Sequence, residues 1–341
     1  MELAYRTATL RLAEPFTISR STSVEEEVLW VELGHDGVSG FGEAQPQEHY
    51  GESVESATAL LKEASGLLGD DPFALEAIGT RLAELPGNAA TKAALDGALH
   101  DLCGKLVGQP VWRLLGLAPV GPPTSWTIWL GDPDDMARRA ERVGDRFRRL
   151  KLKLGGRDGL DVERVRAVRG VTALPLQVDV NEYWELDEAL GNVHELAGLG
   201  VEYVEQPLPA GDPGGAELKR RSTLPIYVDE DCHTLKDVDD CAQRAHGINI
   251  KLAKSGGIRE AVRMAHAARA LGLGVMLGCM IESGLGIAAG CQVASLCDHV
   301  DLDGNLLLAE DPWPGVELRE GVQVPSDRPG LGVDEALPRP R

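Results

Sequence analysis

From Thr124 onward the chain alternates short apolar runs with amphipathic helical stretches, and this pattern constrains the fold more than any other feature. The candidate strands are Ser125–Leu130, Arg149–Leu154, Leu176–Val180, Val201–Glu205, Ile226–Asp229, Ile248–Leu252, Gly274–Cys279 and His299–Asp303. Helical periodicity over Pro133–Phe147, Leu160–Val171, Asp187–Gly200 and Gly257–Leu271 separates several of them. A strand followed by a crossover helix returns parallel, with a right-handed connection. Eight such strands close into a barrel. Their spacing is too irregular for a solenoid.

The preceding residues read differently. Leu3–Leu12, Val28–Leu33 and Val38–Ala44 are strand-like, the last following a His35-Asp36-Gly37 turn. The polar stretch Ser19-Arg20-Ser21-Thr22-Ser23 is long for a hairpin connection and marks a functional loop. Helices follow from Gly51 to about Leu68, near Pro72–Glu84 and over Ala89–Leu106, and Pro119, Pro122 and Pro123 mark a linker. The expected organisation is an α+β domain over 1–118, a barrel over 119–310, and a Pro- and Gly-rich segment over 311–341 running back onto the first domain. A length of 341 residues suits a barrel of about 250 residues plus a smaller partner.

The net charge of −20, from 54 acidic against 34 basic residues, argues against nucleic acid and anionic membranes as partners. No run of 18 or more apolar residues and no basic-then-apolar start is found, so a soluble, unsecreted, cytoplasmic protein is expected. The six cysteines form no CxxC pair and read as reduced, buried thiols.

In a parallel barrel the C-terminal strand ends form the active face. Here those ends carry Lys151 and Lys153, Asp179 with Asn181, Glu205, Asp229 with Glu230, Lys251, and Asp301 with Asp303. Period-two alternation puts Lys151 and Lys153 on one face and Leu150, Leu152 and Leu154 on the other. Mutual repulsion of the two ammoniums favours a neutral amine, as a lysine base requires, although a lysine-bearing edge strand gives the same pattern. A lone strand-end carboxylate is usually a helix cap. Asp179, Glu205 and Asp229 on three consecutive strands instead supply hard oxygen ligands suited to Mg²⁺, the alternative being a salt-bridge cluster with the lysines. Strands two and six of an eight-membered ring are diametrically opposed, so Lys153 and Lys251 should face each other across the mouth. A carbon acid between two such amines can lose a proton on one face and regain one on the other, with the cation stabilising an enediolate. Asp301 and Asp303, opposite strand four, could hold a cationic group at the far end of the substrate.

Lys151-x-Lys153, the three acids in order, Glu205-Gln206-Pro207 and Lys251 together resemble the enolase superfamily in its muconate-lactonizing subgroup, over nearly the whole chain. Tyr50-Gly51-Glu52-Ser53, Glu205–Ala210, Leu277-Gly278-Cys279-Met280 and Asp301–Gly304 are similar to dipeptide epimerases, particularly L-Ala-D/L-Glu epimerases. The resemblance implies an α/β fold, a (β/α)7β modified TIM barrel with an α+β capping domain. It implies Lys153 and Lys251 as acid/base catalysts, Lys151 supporting Lys153 and the substrate carboxylate, Mg²⁺ on Asp179, Glu205 and Asp229, and Asp301/Asp303 on the dipeptide's α-ammonium. Asn181 and Glu230 would orient the ligands and Lys251, or else cap helices. Arg20, on a loop that reads the side chain in this family, would pair with a glutamate carboxylate or simply with Glu25 or Glu26. Glu282 leaves the distal pocket undefined. Barrels of this kind commonly associate, so a homo-oligomer is expected. If glutamate is the epimerised residue, the context is murein peptide recycling.

Three readings compete: a dipeptide epimerase; N-succinylamino acid racemase, o-succinylbenzoate synthase or muconate cycloisomerase; and a non-catalytic barrel. Substrates of the second group are anionic where Asp301 and Asp303 stand, which is repulsive. The third sits poorly with two lysines and three acids all present.

Overall fold

The computed structural model describes residues 1–334. The strands β1 (Glu2–Thr17) and β2 (Thr22–His35) form a long antiparallel ribbon, and β3 (Val38–Ala44) completes a sheet in the order β1-β2-β3. Asp36 and Gly37 make the β2–β3 turn at positive φ, 50° and 77°, as Asp-Gly hairpins require. The helices α1 (Val54–Ala64), α2 (Leu75–Glu84), α3 (Ala89–Val107) and the short α4 (Val111–Leu114) follow. The buried helix α3 lies directly on β3, where two glycines permit the approach. A Cβ at Gly42 would stand 1.9 Å from the carbonyl oxygen of Ala94, and one at Gly40 2.2 Å from that of Ala98.

The barrel comprises β4 (Trp126–Ile128), α5 (Pro133–Arg142), β5 (Leu150–Lys153), α6 (Asp161–Val171), β6 (Leu176–Asp179), α7 (Leu186–Gly198), β7 (Val201–Glu205), α8 (Gly215–Arg221), β8 (Ile226–Val228), α9 (Val238–Arg244), β9 (Gly247–Lys251), α10 (Leu252–Ser255), α11 (Ile258–Ala270), β10 (Gly274–Gly278), α12 (Gly284–Cys291) and β11 (His299–Asp301). The sheet runs β4 to β11 in sequence order, every adjacent pair parallel. A parallel bridge between Thr124 and Val300 joins its two edges. Each of β4 to β10 leads into an α-helix, whereas β11 leads only into a 3₁₀ turn over Gly304–Leu307. The fold is therefore the (β/α)7β barrel with a separate antiparallel capping unit.

Outward residues such as Leu150, Leu152 and Leu154 join the helix-facing core. Inward, Tyr203, Tyr227 and Met276 pack together low in the barrel, and the His299 ring lies 4.7 Å from that of Tyr203. The charged residues stand above this cluster, at the strand C-termini. After β11 the chain forms the hairpin β12 (Glu317–Arg319) and β13 (Val322–Val324). It then reaches the capping unit, where the Leu331 amide donates to Asp101 Oδ1 (2.7 Å) and the Val111 amide to the Gly330 carbonyl (3.0 Å). The Trp313 ring packs 5.7 Å from Trp30 and 5.3 Å from Phe41. Residues 335–341 of the expected C-terminal segment lie outside the described residues. Among the described residues, no helix is long and apolar enough to cross a membrane.

Two local expectations change. Thr22 and Ser23 are paired with Thr17 and Phe16 in the ribbon, so the long polar loop is a tight turn closed by Ile18 N–H donating to the Ser21 carbonyl (2.9 Å). Polarity signalled a loop, but exposed Thr and Ser are compatible with a ladder. The first barrel helix ends at Arg142, because Gly144 adopts φ 58° and the chain turns into a single 3₁₀ turn over Gly144–Arg146.

Candidate active site

Alternation along each strand selects which side chains enter the barrel mouth. Lys153 on β5, Asp179 on β6 and Glu205 on β7 are in lateral register, so one row brings them side by side. Asp229 follows β8, and Lys251 ends β9 opposite Gly278 of β10. The missing side chain there leaves room for the lysine, since a Cβ on Gly278 would lie 3.1 Å from Lys251 Cε. The strands β5 and β9 stand four apart in the eight-stranded ring, so Lys153 and Lys251 rise from opposite walls.

The charges are interleaved. Lys153 Nζ donates to Asp179 Oδ2 at 2.6 Å and lies 3.4 Å from Asn181 Oδ1. Lys251 Nζ pairs with Asp229 Oδ2 at 2.8 Å. Lys151, only 1% exposed, meets Glu205 Oε2 (2.8 Å), Asp301 Oδ2 (2.8 Å) and Asp179 Oδ2 (3.2 Å). Asp301 is thus one ammonium away from the strand-end acids rather than remote from them. Asp303 Oδ2 accepts the Thr127 amide (2.7 Å), and Thr127 Oγ1 lies 3.5 Å from Asp301 Oδ1.

Burial opposes charge throughout, and the neighbours decide the outcome. For Lys151, burial is overcome by Asp301, Glu205 and Asp179, which hold its pKa well above the ordinary value. Lys251 is likewise raised, burial being outweighed mainly by Asp229. For Lys151 and Lys251, then, the neighbouring carboxylates outweigh both burial and lysine repulsion. Asp179 and Asp229 are held below the usual carboxylate range by adjacent ammoniums despite burial. Glu205 is pushed up to about 7 by burial and then by Asp179. Burial, with Asp301 adding to it, raises Asp303 to about 7.

The three acids suit a hard divalent cation. Glu205 Oε2 and Asp229 Oδ2 are buried, lack a hydrogen-bond partner and meet only the ammonium charge of Lys151 and Lys251. Burial first, and then repulsion from Asp179 and Asp229, raises Glu205, and a cation shared by the three acids would offset both. All donors are oxygens, as Mg²⁺ prefers.

The hairpin tip of the capping unit hangs over this mouth. The Leu130 amide donates to the Thr17 carbonyl (2.9 Å), and Ser19 Oγ donates to the Asn181 carbonyl (3.4 Å). Arg20 donates to Glu230 Oε1 (2.8 Å) and Glu182 Oε2 (3.4 Å), not to Glu25 or Glu26, because the tight turn aims it at the barrel. Glu25 instead lies 3.9 Å from Arg11. Asn181, in left-handed backbone at φ 48°, donates its amide to Asp179 Oδ1 (3.0 Å) and its side chain to Glu230 Oε1 (3.4 Å). Among the described residues, His49, Glu182 and Glu230 bring three ligand-type atoms within 4.8 Å of one another. Arg20 already supplies the positive charge for that trio.

Sequence reasoning missed Lys254, Asn249, Glu182 and His49. Asn249 was accessible, since it alternates with Lys251. Lys254 lies beyond the strand, and only its short helix turns it back under Asp229.

Comparison with known proteins places these features in context. Residues 1–116 match the model of the mandelate racemase/muconate lactonizing enzyme N-terminal domain, and residues 135–336 match the enolase C-terminal domain-like model. The chain is 39% identical over 337 residues to an L-Ala-D/L-Glu epimerase of Bacteroides thetaiotaomicron, covering 98% of this chain and 88% of that protein. Among solved structures it is similar to a substrate-liganded L-Ala-D/L-Glu epimerase from Bacillus subtilis, with 32% identity, TM-score 0.94 and 99% of each chain covered. It is also similar to a dipeptide epimerase from Methylococcus capsulatus complexed with Mg and L-Arg-D-Lys, with 35% identity, TM-score 0.89, and 97% of this chain and 98% of that one covered.

Proposed function

Since the chain belongs to the mandelate racemase/muconate lactonizing group of the enolase superfamily and is an isomerase of the racemase/epimerase kind, we propose that it inverts the α-carbon of a dipeptide's C-terminal residue by two-lysine 1,1-proton transfer. The observation that carries this reading is the pair Lys153 and Lys251, on opposed strands, flanking an arc of three acids.

Asp179, Glu205 and Asp229 would hold Mg²⁺. When bound, the ion supplies the positive charge that anchors a substrate carboxylate and stabilises its enediolate form. The chain's own groups do the rest. One lysine, as the free amine, takes the α-proton as the C–H bond breaks. The other, as the ammonium, delivers a proton to the opposite face, and the new C–H bond completes inversion. Lys151, clamped among three carboxylates, holds a fixed charge beside the carboxylate end of the substrate. Asp301 and Asp303 receive the dipeptide's free ammonium, and Asn181 and Glu230 keep Asp179, Lys153 and Arg20 in place. Arg20 reads the C-terminal side chain by exchanging one of its two protein carboxylates for the substrate's. L-Ala-L-Glu is the first substrate to test, given the relatives that act on it. The buried aspartate pair disfavours the succinylated or dicarboxylate substrates of the alternative reactions.

The test is incubation of the full chain with Mg²⁺ in D₂O, using L-Ala-L-Glu and a broad L,L-dipeptide library. The expected result is one deuterium at the α-carbon of the C-terminal residue together with the L,D epimer, seen by mass spectrometry and chiral chromatography. Absence of exchange in every dipeptide would overturn the reading.

A further inference from the structure

Each of the three strand-end acids presents one oxygen to the cavity and has the other tied to the protein. Asp179 Oδ1 accepts the Asn181 amide (3.0 Å), while Oδ2 faces the lysines. Glu205 Oε1 accepts Asn249 Nδ2 (2.7 Å), while Oε2 faces Lys151. Asp229 Oδ1 is held by Lys254 Nζ at 2.6 Å, while Oδ2 faces Lys251.

Lys254 is a fully buried lysine, 1% exposed, for which the proton-transfer scheme has no use. Its ammonium has three protons and three acceptors: Asp229 Oδ1, the Asp229 carbonyl and the Asn249 carbonyl (3.0 Å). The helix α10 starts immediately after Lys251 and returns position 254 beneath the strand end. With every donor committed, swinging Asp229 Oδ1 into the cavity would take the carboxylate partner away from a buried ammonium.

We infer that Lys254, with Asn249, restricts Asp229 and Glu205 to one metal-facing oxygen each and so makes this a site selective for Mg²⁺ over Ca²⁺. Mg²⁺ takes six ligands at short range and keeps several waters, so three single oxygens serve it well. Ca²⁺ takes six to eight and gains from two-oxygen carboxylates. Lys254 is a positioning residue, acting through Asp229. The inference rests on reading Asp179, Glu205 and Asp229 as the metal ligands.

The experiment is isothermal titration of the metal-stripped full chain with MgCl₂ and, separately, CaCl₂, in the parent, Lys254→Met and Asn249→Ala proteins. Circular dichroism checks the fold of each. The parent should prefer Mg²⁺, and the Ca²⁺-to-Mg²⁺ Kd ratio should fall at least tenfold in Lys254→Met and fall in the same direction in Asn249→Ala. Loss of charge or packing alone would move both affinities together and leave the ratio fixed. An unchanged ratio in folded variants overturns the inference while leaving the ligand set standing. A parent that binds neither ion overturns the ligand set and the inference with it. Should Lys254→Met fail to fold, Asn249→Ala decides alone.

Discussion

At the level of single residues, the site is a set of buried charges that are tolerable only together. Removing one partner leaves another unpaired, so variants should report chemistry and stability at once. Lys153→Ala and Lys251→Ala should each abolish epimerisation, a loss of about 10²–10⁴-fold or more, as expected for a general acid or base. Solvent exchange should survive only in the epimer whose α-proton faces the remaining lysine, which deuterium incorporation into each purified epimer measures. Asp229→Asn removes the countercharge of two buried ammoniums, Lys251 and Lys254. It should lower stability by about 3–5 kcal/mol in urea unfolding and weaken Mg²⁺ binding in the same protein.

Among the elements, the ribbon of β1 and β2 matters most, because its tip places a capping-unit cation against the ends of barrel strands. Arg20 bridges Glu182 and Glu230 from a turn of only a few residues, so its aim is fixed by the ladder behind it. Replacing it with Met should reduce kcat/KM for L-Ala-L-Glu by about 10- to 100-fold, the 1.5–3 kcal/mol of a charged hydrogen bond. L-Ala-L-Leu should be far less affected, and steady-state kinetics on the two dipeptides tests this. The contact of α3 with β3 is equally specific. Gly42→Val forces a side chain into the Ala94 backbone, and a cooperative loss of the capping unit with a fallen melting temperature is expected.

Across the whole molecule, the two units meet through buried acids. Glu43 of the capping sheet accepts the Ser283 amide (2.8 Å) ahead of α12 and the Trp30 indole (2.7 Å). Burial and the proximity of Glu43 push Glu282 up to about 8 from 4.5. A carboxyl whose folded pKa is raised keeps its proton in the folded state after the unfolded chain has released it. Stability from this group therefore falls as pH rises from about 4.5 to about 8, and is constant beyond. Glu282→Gln should match the parent's melting temperature near pH 5, exceed it increasingly up to about pH 8, and keep a constant advantage above that in calorimetry.

The barrel was legible because a period-two apolar run followed by a helix has few other solutions, and because strand ends in this fold converge wherever their loops go. Lys153, Asp179, Glu205 and Lys251 needed only their positions on consecutive or opposed strands. The expected strands ran past the observed ends at Asp229 and Asp303, because these acids stand just beyond the last ladder residues, Val228 and Asp301. The tertiary structure alone decided what depends on loops from separate parts of the chain: Arg20 bound to Glu230, Lys254 turned under Asp229, and Lys151 tied to Asp301. Alternation fixes the face on which a side chain emerges, but which opposite charge reaches it through a low-dielectric interior follows from three-dimensional packing that no linear spacing encodes.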